Sequence, residues 1–273
     1  MSKSHEAGLA VVTGASSGLG ALFAQKLAQR GMPLVLAGRD RTRLTEVQQR
    51  VRQLAPDVDV APAVGDLGSQ AGVDALVGVL AGRAVDVLVN NAGFGTYGAL
   101  SDIDPDRDRE LIAVNVDALV RLTHAVLPGM LARGRGRVLN VGSTIAFQPG
   151  PYQATYGASK AFVLSFSQAL WAETRGTGVT VTALCPGPTR TGFVEALDAD
   201  VSQTAIYHRL ASPEPVVTAG LRAMDRGRPL VVPGARNRLM ASASRLTPGW
   251  AGALISGRML RPAGTTRTLS AAT

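Results

Sequence analysis

Short apolar runs alternate along the chain with longer segments whose apolar residues recur with helical periodicity. Continuous short runs are typical of strands covered on both faces, and the periodic segments are typical of amphipathic helices. The predicted strands are residues 9–13, 34–37, 58–64, 85–89, 138–141, 179–184 and 230–232. The predicted helices include residues 19–30, 41–54, 106–130 with an interruption near Pro128, 155–175 and 215–226. This alternation predicts one α/β domain built on a parallel sheet.

A glycine-rich turn joins the first strand to the first helix, with the sequence Gly14-Ala-Ser-Ser-Gly18-Leu-Gly20. Glycines here permit a tight turn and let a pyrophosphate approach backbone N–H groups at the start of the helix. The order of strand, glycine turn and helix therefore predicts a dinucleotide site, although a glycine turn without a ligand is the alternative interpretation. The predicted contacts are Gly14, Ser16, Ser17, Gly18, Leu19 and Gly20.

Tyr156 and Lys160 are four residues apart at the start of a predicted helix, which places both side chains on one face. An unperturbed tyrosine has a pKa of about 10, and a cation within about 4–6 Å lowers it, so Lys160 could help Tyr156 exchange a proton near neutral pH. Ser143 follows the strand at 138–141 and could hydrogen-bond the same substrate oxygen. Taken alone, the pair of Tyr156 and Lys160 is better interpreted as an ordinary solvated helix pair, and only the motifs around it favour the functional interpretation.

Several spaced motifs resemble the signature of the short-chain dehydrogenase/reductase family. They are Thr13-Gly14-x-x-x-Gly18-x-Gly20, Asn90-Asn91-Ala92-Gly93, Tyr156-x-x-x-Lys160 and Pro186-Gly187, and the resemblance runs from about residue 9 to residue 233. It implies a single-domain, Rossmann-type doubly wound parallel sheet of about seven strands with helices on both faces. It also implies hydride transfer between a nicotinamide dinucleotide and a carbonyl or alcohol. The implied catalytic residues are Asn115, Ser143, Tyr156 and Lys160.

The resemblance also assigns cofactor contacts beyond the glycine turn. They are Asp66 and Leu67 near the adenine, Asn90, Ala92 and Gly93 after the fourth strand, Tyr156 and Lys160, and Pro186, Gly187, Thr189 and Thr191 near the nicotinamide. For the Asn-Asn-Ala-Gly segment, a structural role between strand ends is as well supported as ligand contact. Asn115 lies in an apolar helical run, where asparagine is unfavourable, so its amide is expected to hold a water molecule or a carbonyl.

The end of the second strand indicates which dinucleotide is preferred. Gly38 stands where NAD-preferring enzymes usually hold an acid, and the guanidinium of Arg39 suits a 2′-phosphate. We therefore expect NADP(H) to be preferred over NAD(H). A shift of two residues would instead bring Asp40 to the ribose and favour NAD(H), and Arg39 could also be a surface charge at a helix start.

Aromatic and aliphatic residues near the strand ends predict an apolar pocket for a small-molecule carbonyl or alcohol substrate. They are Phe94, Ile145, Phe147, Tyr152 and Phe193, and the segment at about 189–215, with Leu197 and Ile206, is expected to cover the substrate. Cys185 is the only cysteine, which excludes a thiolate metal cluster and predicts a small buried side chain. No metal is expected.

The formal charge of +8 is concentrated at one end of the chain. Nine arginines and one acid, Asp225, lie from Arg222 onward, and the preceding residues are neutral overall, so nucleic-acid binding is not expected. We therefore divide the chain into a catalytic domain at 1–233 and a basic amphipathic extension at 234–273. Packing on the body or a sister subunit is the favoured role of the extension, ahead of binding to a membrane surface or an acidic partner.

The remaining expectations concern compartment and assembly. No run of eighteen apolar residues occurs and the N-terminus is polar, so a cytoplasmic protein is expected. The family resemblance implies a homodimer or homotetramer, and the basic extension resembles that of bacterial carbonyl reductases. The alternative function is a non-catalytic NADP(H)-binding sensor or scaffold, and the intact set of Asn115, Ser143, Tyr156 and Lys160 argues against it.

Overall fold

A computed structural model of the chain describes residues 8–193, 197, 204 and 210–262. Its strands are β1 (Leu9–Thr13), β2 (Leu34–Gly38), β3 (Val60–Val64), β4 (Val85–Asn90), β5 (Gly136–Val141), β6 (Val179–Leu184) and β7 (Leu230–Val231). They form one seven-stranded sheet in the order β3-β2-β1-β4-β5-β6-β7, and every neighbouring pair is parallel. This confirms the predicted doubly wound α/β domain. Most of the predicted substrate-covering segment, including Ile206, and the extension beyond residue 262 lie outside the described residues.

The helices lie on both faces of this sheet. They are α1 (Gly18–Ala28), α2 (Arg41–Leu54), α3 (Gln70–Leu80), α4 (Pro105–Ile112), α5 (Ala118–Arg133), α6 (Ala154–Glu173), α7 (Pro213–Asp225), α8 (Ala235–Leu246) and α9 (Gly249–Met259). Phe23 of α1 and Val217 of α7 share a core on one face, and Leu76 of α3 and Leu122 of α5 share a core on the other. Every residue of β1 and β2 is buried, as expected for strands covered on both sides.

The long helix predicted at 106–130 is interrupted at Ala113–Asp117, and the expected break near Pro128 is wrong. At this point the backbone forms a π-helical turn, in which the N–H of Ala118 bonds to the carbonyl of Ala113. Pro128 lies inside α5, which continues to Arg133 because a proline removes a single backbone donor while the neighbouring turns stay packed.

The combined helical segment Pro105–Arg133 is long and apolar enough to cross a membrane by length and composition. Leu122 and Met130 are instead fully buried in the core against the sheet, and Leu111 is fully buried beside Phe94 and Tyr156. Pro105–Arg133 is therefore a core segment of the α/β domain.

The basic extension forms α8 and α9, which contact the body through small and polar residues. Ala241 and Ser256 are buried, and the Ser256 hydroxyl donates to the carbonyl of Pro149 at 2.7 Å. The larger apolar side chains of the extension do not pack on the body of the same chain. Leu239, Leu246, Trp250, Leu254 and Ile255 are each more than half exposed. Small residues at the contact let these helices approach the body closely, which turns their large apolar side chains outward.

Candidate active site

The carboxyl ends of β1 to β6 open into one cleft of about 1070 Å³. Parallel strands end at the same edge of a sheet, which explains why separate motifs meet there. The predicted site residues that line the cleft are Gly14, Ser16, Ser17, Gly18, Leu19, Arg39, Asp66, Leu67, Ala92, Gly93, Phe94, Ser143, Ile145, Tyr156, Lys160, Pro186, Gly187, Thr189, Thr191 and Phe193.

The glycine turn is shaped by contacts that leave no room for side chains. Gly14 has a φ of +61°, and a Cβ on Gly20 would lie 2.2 Å from the carbonyl oxygen of Gly14. The side-chain amide of Asn91 braces the turn by donating to the carbonyls of Thr13 at 2.9 Å and Gly14 at 3.2 Å. At the start of α1, Ser17 makes no side-chain cap and the first turn has no acid. This turn fits the pyrophosphate of a dinucleotide, because backbone donors lie at a helix N-terminus free of competing carboxylates.

Asn90 does not line the cleft, in contrast to its predicted contact with the cofactor. It is buried, and its amide nitrogen donates to Asn140 at 2.9 Å and to Thr123 at 3.2 Å. These bonds connect the ends of β4 and β5 to α5. The position of Asn90 therefore fits a structural role between strand ends, which was the alternative to contact with the cofactor.

Lys160 is buried beside Tyr156 on α6. Its ammonium donates to the carbonyl of Val141 at 2.9 Å and lies 5.8 Å from the centre of the Tyr156 ring. Burial away from water lowers the pKa of Lys160 to about 8, and the nearby Cys185 opposes this shift. Burial likewise raises the pKa of Cys185 to about 12, so this cysteine is a buried thiol, as predicted.

The Tyr156 ring forms one wall of an apolar part of the cleft. It is 7% exposed, its ring centre is 5.3 Å from that of Phe193, and Phe94 and Ile145 belong to the same cluster. Ser143 lies two residues after β5 in extended backbone, and its hydroxyl accepts a bond from the N–H of Ile145 at 3.3 Å. A substrate oxygen in this part of the cleft would therefore meet both a phenol and an alcohol.

Asn115 lies directly behind this wall, in the π-helical turn. Its side-chain oxygen accepts from the N–H of Phe94 at 3.1 Å, and its nitrogen donates to the Phe94 carbonyl and to Ser159, each at 3.0 Å. The sequence analysis expected this amide to hold a water molecule or a carbonyl, and it holds the carbonyl of Phe94. A Cβ on Gly93 would lie 2.8 Å from the Asn115 oxygen, so the two segments are in close contact.

Two of the predicted pocket residues point elsewhere. Phe147 packs with Leu164 and Ala183, and the guanidinium of Arg245 lies 5.3 Å from its ring centre. Tyr152, with a φ of +63°, packs beside Tyr97 outside the lining of the cleft. Phe147 ends a short 3₁₀ turn at Thr144–Phe147, which directs its ring towards α8.

The charged rim of the cleft includes Arg39 and Asp40. The guanidinium of Arg39 donates to the carboxylate of Glu110 on α4 at 2.8 Å. Asp40 caps α2, since its carboxylate accepts from the N–H of Arg43 at 3.0 Å. Arg39 therefore reaches from the end of β2 across to α4.

The extension contributes a wall that the sequence analysis missed. The lining residues from α8, α9 and the residue after α9 are Arg236, Asn237, Met240, Ala241, Ser244, Ser256, Met259 and Leu260. The hydroxyl of Tyr97 fixes the end of this wall by donating to the carbonyl of Leu260 at 2.9 Å. The sequence did contain a signal for this wall. On the helix that became α8, one face carries Asn237, Ala241 and Ser244, which are smaller than the leucines and methionine of the apolar face.

Comparison with known proteins identifies relatives along nearly the whole chain. A family profile described as short chain dehydrogenase matches residues 8–202. The very-long-chain 3-oxoacyl-CoA reductase of Bos taurus is 33% identical over 259 residues, which cover 90% of this chain and 80% of that protein.

Solved structures agree with this relationship. A short-chain dehydrogenase from Sphingobium yanoikuyae in complex with NADPH has a TM-score of 0.79 and 32% identity, covering 95% of this chain and 99% of that one. The bulky-bulky ketone specific alcohol dehydrogenase from Comamonas testosteroni has a TM-score of 0.76 and 30% identity, covering 88% of this chain and 93% of that one.

Proposed function

Because the chain belongs to the short-chain dehydrogenase/reductase family, we propose that it transfers hydride between NADP(H) and the carbonyl or secondary alcohol of an apolar substrate. Membership of the family makes it an NAD(P)-dependent oxidoreductase of alcohols and carbonyl compounds. The proposal adds the preferred cofactor, the character of the substrate and the acid-base residue. The observation that carries it is that Tyr156, Lys160 and Ser143 line the same cleft as the glycine turn.

The chain's own residues position the substrate and move the proton, while bound NADP(H) would supply or accept the hydride. Ser143 holds and polarises the substrate oxygen. Tyr156 donates a proton to that oxygen in reduction and removes it in oxidation. Lys160 binds the nicotinamide ribose, and its charge stabilises the phenolate left by proton transfer.

Asn115 acts through its neighbours. Its amide already bonds to both backbone groups of Phe94 and to Ser159. We therefore assign it to fixing the wall of the cleft beside Tyr156.

The apolar character of the substrate rests on the wall around Tyr156. Phe94, Ile145 and Phe193 surround the phenol, and Met259 and Leu260 face the same cleft from the extension. The relatives named for a very-long-chain acyl group and for bulky ketones support this assignment.

Oxidation of NADPH in the presence of aldehydes and ketones of increasing apolar size tests the proposal. We expect turnover that rises with apolar bulk, and tighter binding of NADP⁺ than of NAD⁺ because Arg39 lines the cleft. Cofactor binding without turnover on any carbonyl compound would support the alternative of a sensor or scaffold. Equal or tighter binding of NAD⁺ would overturn the cofactor preference.

We further propose a cytoplasmic homodimer or homotetramer that associates through α5 and α6. On α6, Phe162 is 40% exposed and stacks on Phe166 with ring centres 5.7 Å apart, which offers an apolar contact. Light scattering coupled to size-exclusion chromatography measures the mass directly. A monomer at micromolar concentration would overturn this assembly.

The exposed apolar face of α8 and α9 favours a second contact, with an anionic membrane surface. Leu246 and Trp250 are 89% and 73% exposed, and exposed arginines such as Arg245 and Arg258 flank them. No acidic residue follows Asp225, so a second copy docked face to face would oppose arginines to arginines. Anionic lipid would match both the apolar and the basic groups.

A further inference from the structure

Glu110 pairs with Arg39, which lines the cleft. The two side chains come from separate elements, since Arg39 follows β2 and Glu110 lies on α4. The Arg39 guanidinium donates to one Glu110 oxygen at 2.8 Å. The Glu110 side chain also packs beside Gly68, where a Cβ would lie 3.2 Å from its Cγ, two residues after Asp66 in the cleft wall.

The second oxygen of Glu110 is held independently of Arg39. Arg107 donates to it at 2.5 Å, and the Arg107 guanidinium lies 3.9 Å from the centre of the Phe94 ring. Arg107 is thus anchored on an aromatic ring of the cleft wall. The Glu110 carboxylate therefore has a second partner that is independent of Arg39.

A 2′-phosphate and Glu110 compete for the same guanidinium. Bidentate recognition of a phosphate uses two N–H groups of an arginine, and Glu110 already occupies one nitrogen of Arg39. A phosphate beside Arg39 would also lie close to the fixed negative charge of Glu110, which opposes its binding. The 2′-hydroxyl of NAD(H) carries no charge and meets neither penalty.

We propose that Glu110 is a specificity-determining residue that weakens the binding of NADP(H) relative to NAD(H) by pairing with Arg39. This inference rests on the proposed function, since it concerns the same dinucleotide site. Arg39 alone therefore does not set the preference between the two cofactors. The Arg39–Glu110 pair sets it, and the preference that Arg39 confers is smaller than an unpaired arginine would give.

Isothermal titration of Glu110→Gln with NADP⁺, NAD⁺, 2′,5′-ADP and 5′-AMP tests the proposal without catalysis. Glutamine keeps an oxygen that accepts from Arg39 but removes the charge. We expect the Kd of NADP⁺ and of 2′,5′-ADP to fall about threefold to tenfold, with the Kd of NAD⁺ and 5′-AMP changing less than about twofold.

Two further variants distinguish an effect of the Arg39–Glu110 pair on NADP⁺ binding from an effect of losing any negative charge nearby. Asp106→Asn removes one charge from the same helix, where Asp106 pairs with Arg109, and we expect all four dissociation constants to stay unchanged. In an Arg39→Met background, we expect Glu110→Gln to lose its effect on NADP⁺, because the shared guanidinium is gone.

The outcomes distinguish this inference from the proposed function. Equal tightening of NADP⁺ and NAD⁺ in Glu110→Gln, no change, or weaker NADP⁺ binding would each overturn the role of Glu110. If the unaltered chain prefers NAD⁺ while Glu110→Gln still tightens NADP⁺ selectively, the proposed cofactor preference fails and the role of Glu110 stands.

Discussion

The ammonium of Lys160 lies 5.8 Å from the centre of the Tyr156 ring and is fixed there by the carbonyl of Val141. The two residues are one helical turn apart on α6, and Val141 ends the neighbouring strand β5. A strand end therefore determines where the charge lies relative to the phenol. The helix supplies the spacing, and the sheet edge supplies the partner that keeps the buried ammonium satisfied.

Replacing Tyr156 with phenylalanine should abolish turnover and leave cofactor binding intact. The change removes the hydroxyl that exchanges the proton while keeping the ring that packs on Phe193. We expect kcat to fall about a hundredfold to ten-thousandfold and the Kd of NADP⁺ to change less than about threefold. Tyr152→Phe is the matched control and should keep kcat, since Tyr152 lies outside the lining of the cleft. Near-normal turnover in Tyr156→Phe would refute the assignment.

The lowered pKa of Lys160 predicts how stability changes with pH. Its pKa is about 8 in the folded chain and has an ordinary value of 10.5. Between these values the unfolded chain binds more protons, so the free energy of unfolding rises with pH. Burial of the charged amine is unfavourable below pH 8, and this penalty is relieved as the amine loses its proton.

Urea unfolding of the cofactor-free chain and of Lys160→Met measures this effect. The free energy of unfolding of the unaltered chain, relative to Lys160→Met, should rise by about 2 kcal/mol between about pH 7.5 and pH 9.5. Lys26→Met is the control, because Lys26 is partly exposed on α1 beside Glu214. The prediction is contradicted if the difference in free energy of unfolding between the unaltered chain and Lys160→Met stays constant over this pH range.

Asn115→Ala should reduce both stability and turnover. The variant loses three hydrogen bonds, two of them to the backbone of Phe94. We expect the free energy of unfolding to fall by about 2–4 kcal/mol and kcat to fall with it, as Phe94 and Gly93 shift beside Tyr156. Ser159→Ala removes one bond of Asn115 and leaves Phe94 held, so it should retain most of kcat. Chemical denaturation and steady-state kinetics report the two effects, and an unchanged kcat in Asn115→Ala would remove Asn115 from the mechanism.

The strand ends could be predicted from the sequence because each carries a local signal. An apolar run followed by Gly14, Asn91 or Pro186 marks a point where a buried strand turns towards the cleft. Parallel topology then brings these points together without further information. The helix α2 was predicted to the residue from its helical periodicity.

Contacts between distant segments could not be predicted in this way. The side chain of Asn115, in the π-helical turn, is held by the backbone of Phe94, twenty-one residues earlier in the chain. Arg39 meets Glu110 although the two residues are 71 positions apart in the chain. The wall formed by α8 and α9 was missed because the most apolar face of the extension was taken as the packed one, whereas Ala241 and Ser256 make the contact.

The exposed face of α8 and α9 predicts binding to anionic vesicles, reported by Trp250. The chain has two tryptophans, so Trp171→Phe leaves Trp250 as the only one. Its fluorescence should shift to shorter wavelength with vesicles that contain phosphatidylglycerol, and remain unchanged with phosphatidylcholine alone, because the flanking arginines need a negative surface. Salt should weaken the shift.

Point variants are needed for the lipid test, since truncation after Pro233 would also remove one wall of the cleft. Leu246→Ser combined with Leu254→Ser should abolish the shift of Trp250. Leu54→Ser is the control, because Leu54 is a half-exposed leucine on α2. A shift that grows with protein concentration in the absence of vesicles would show that a second copy covers this face, and the lipid assignment would then be wrong.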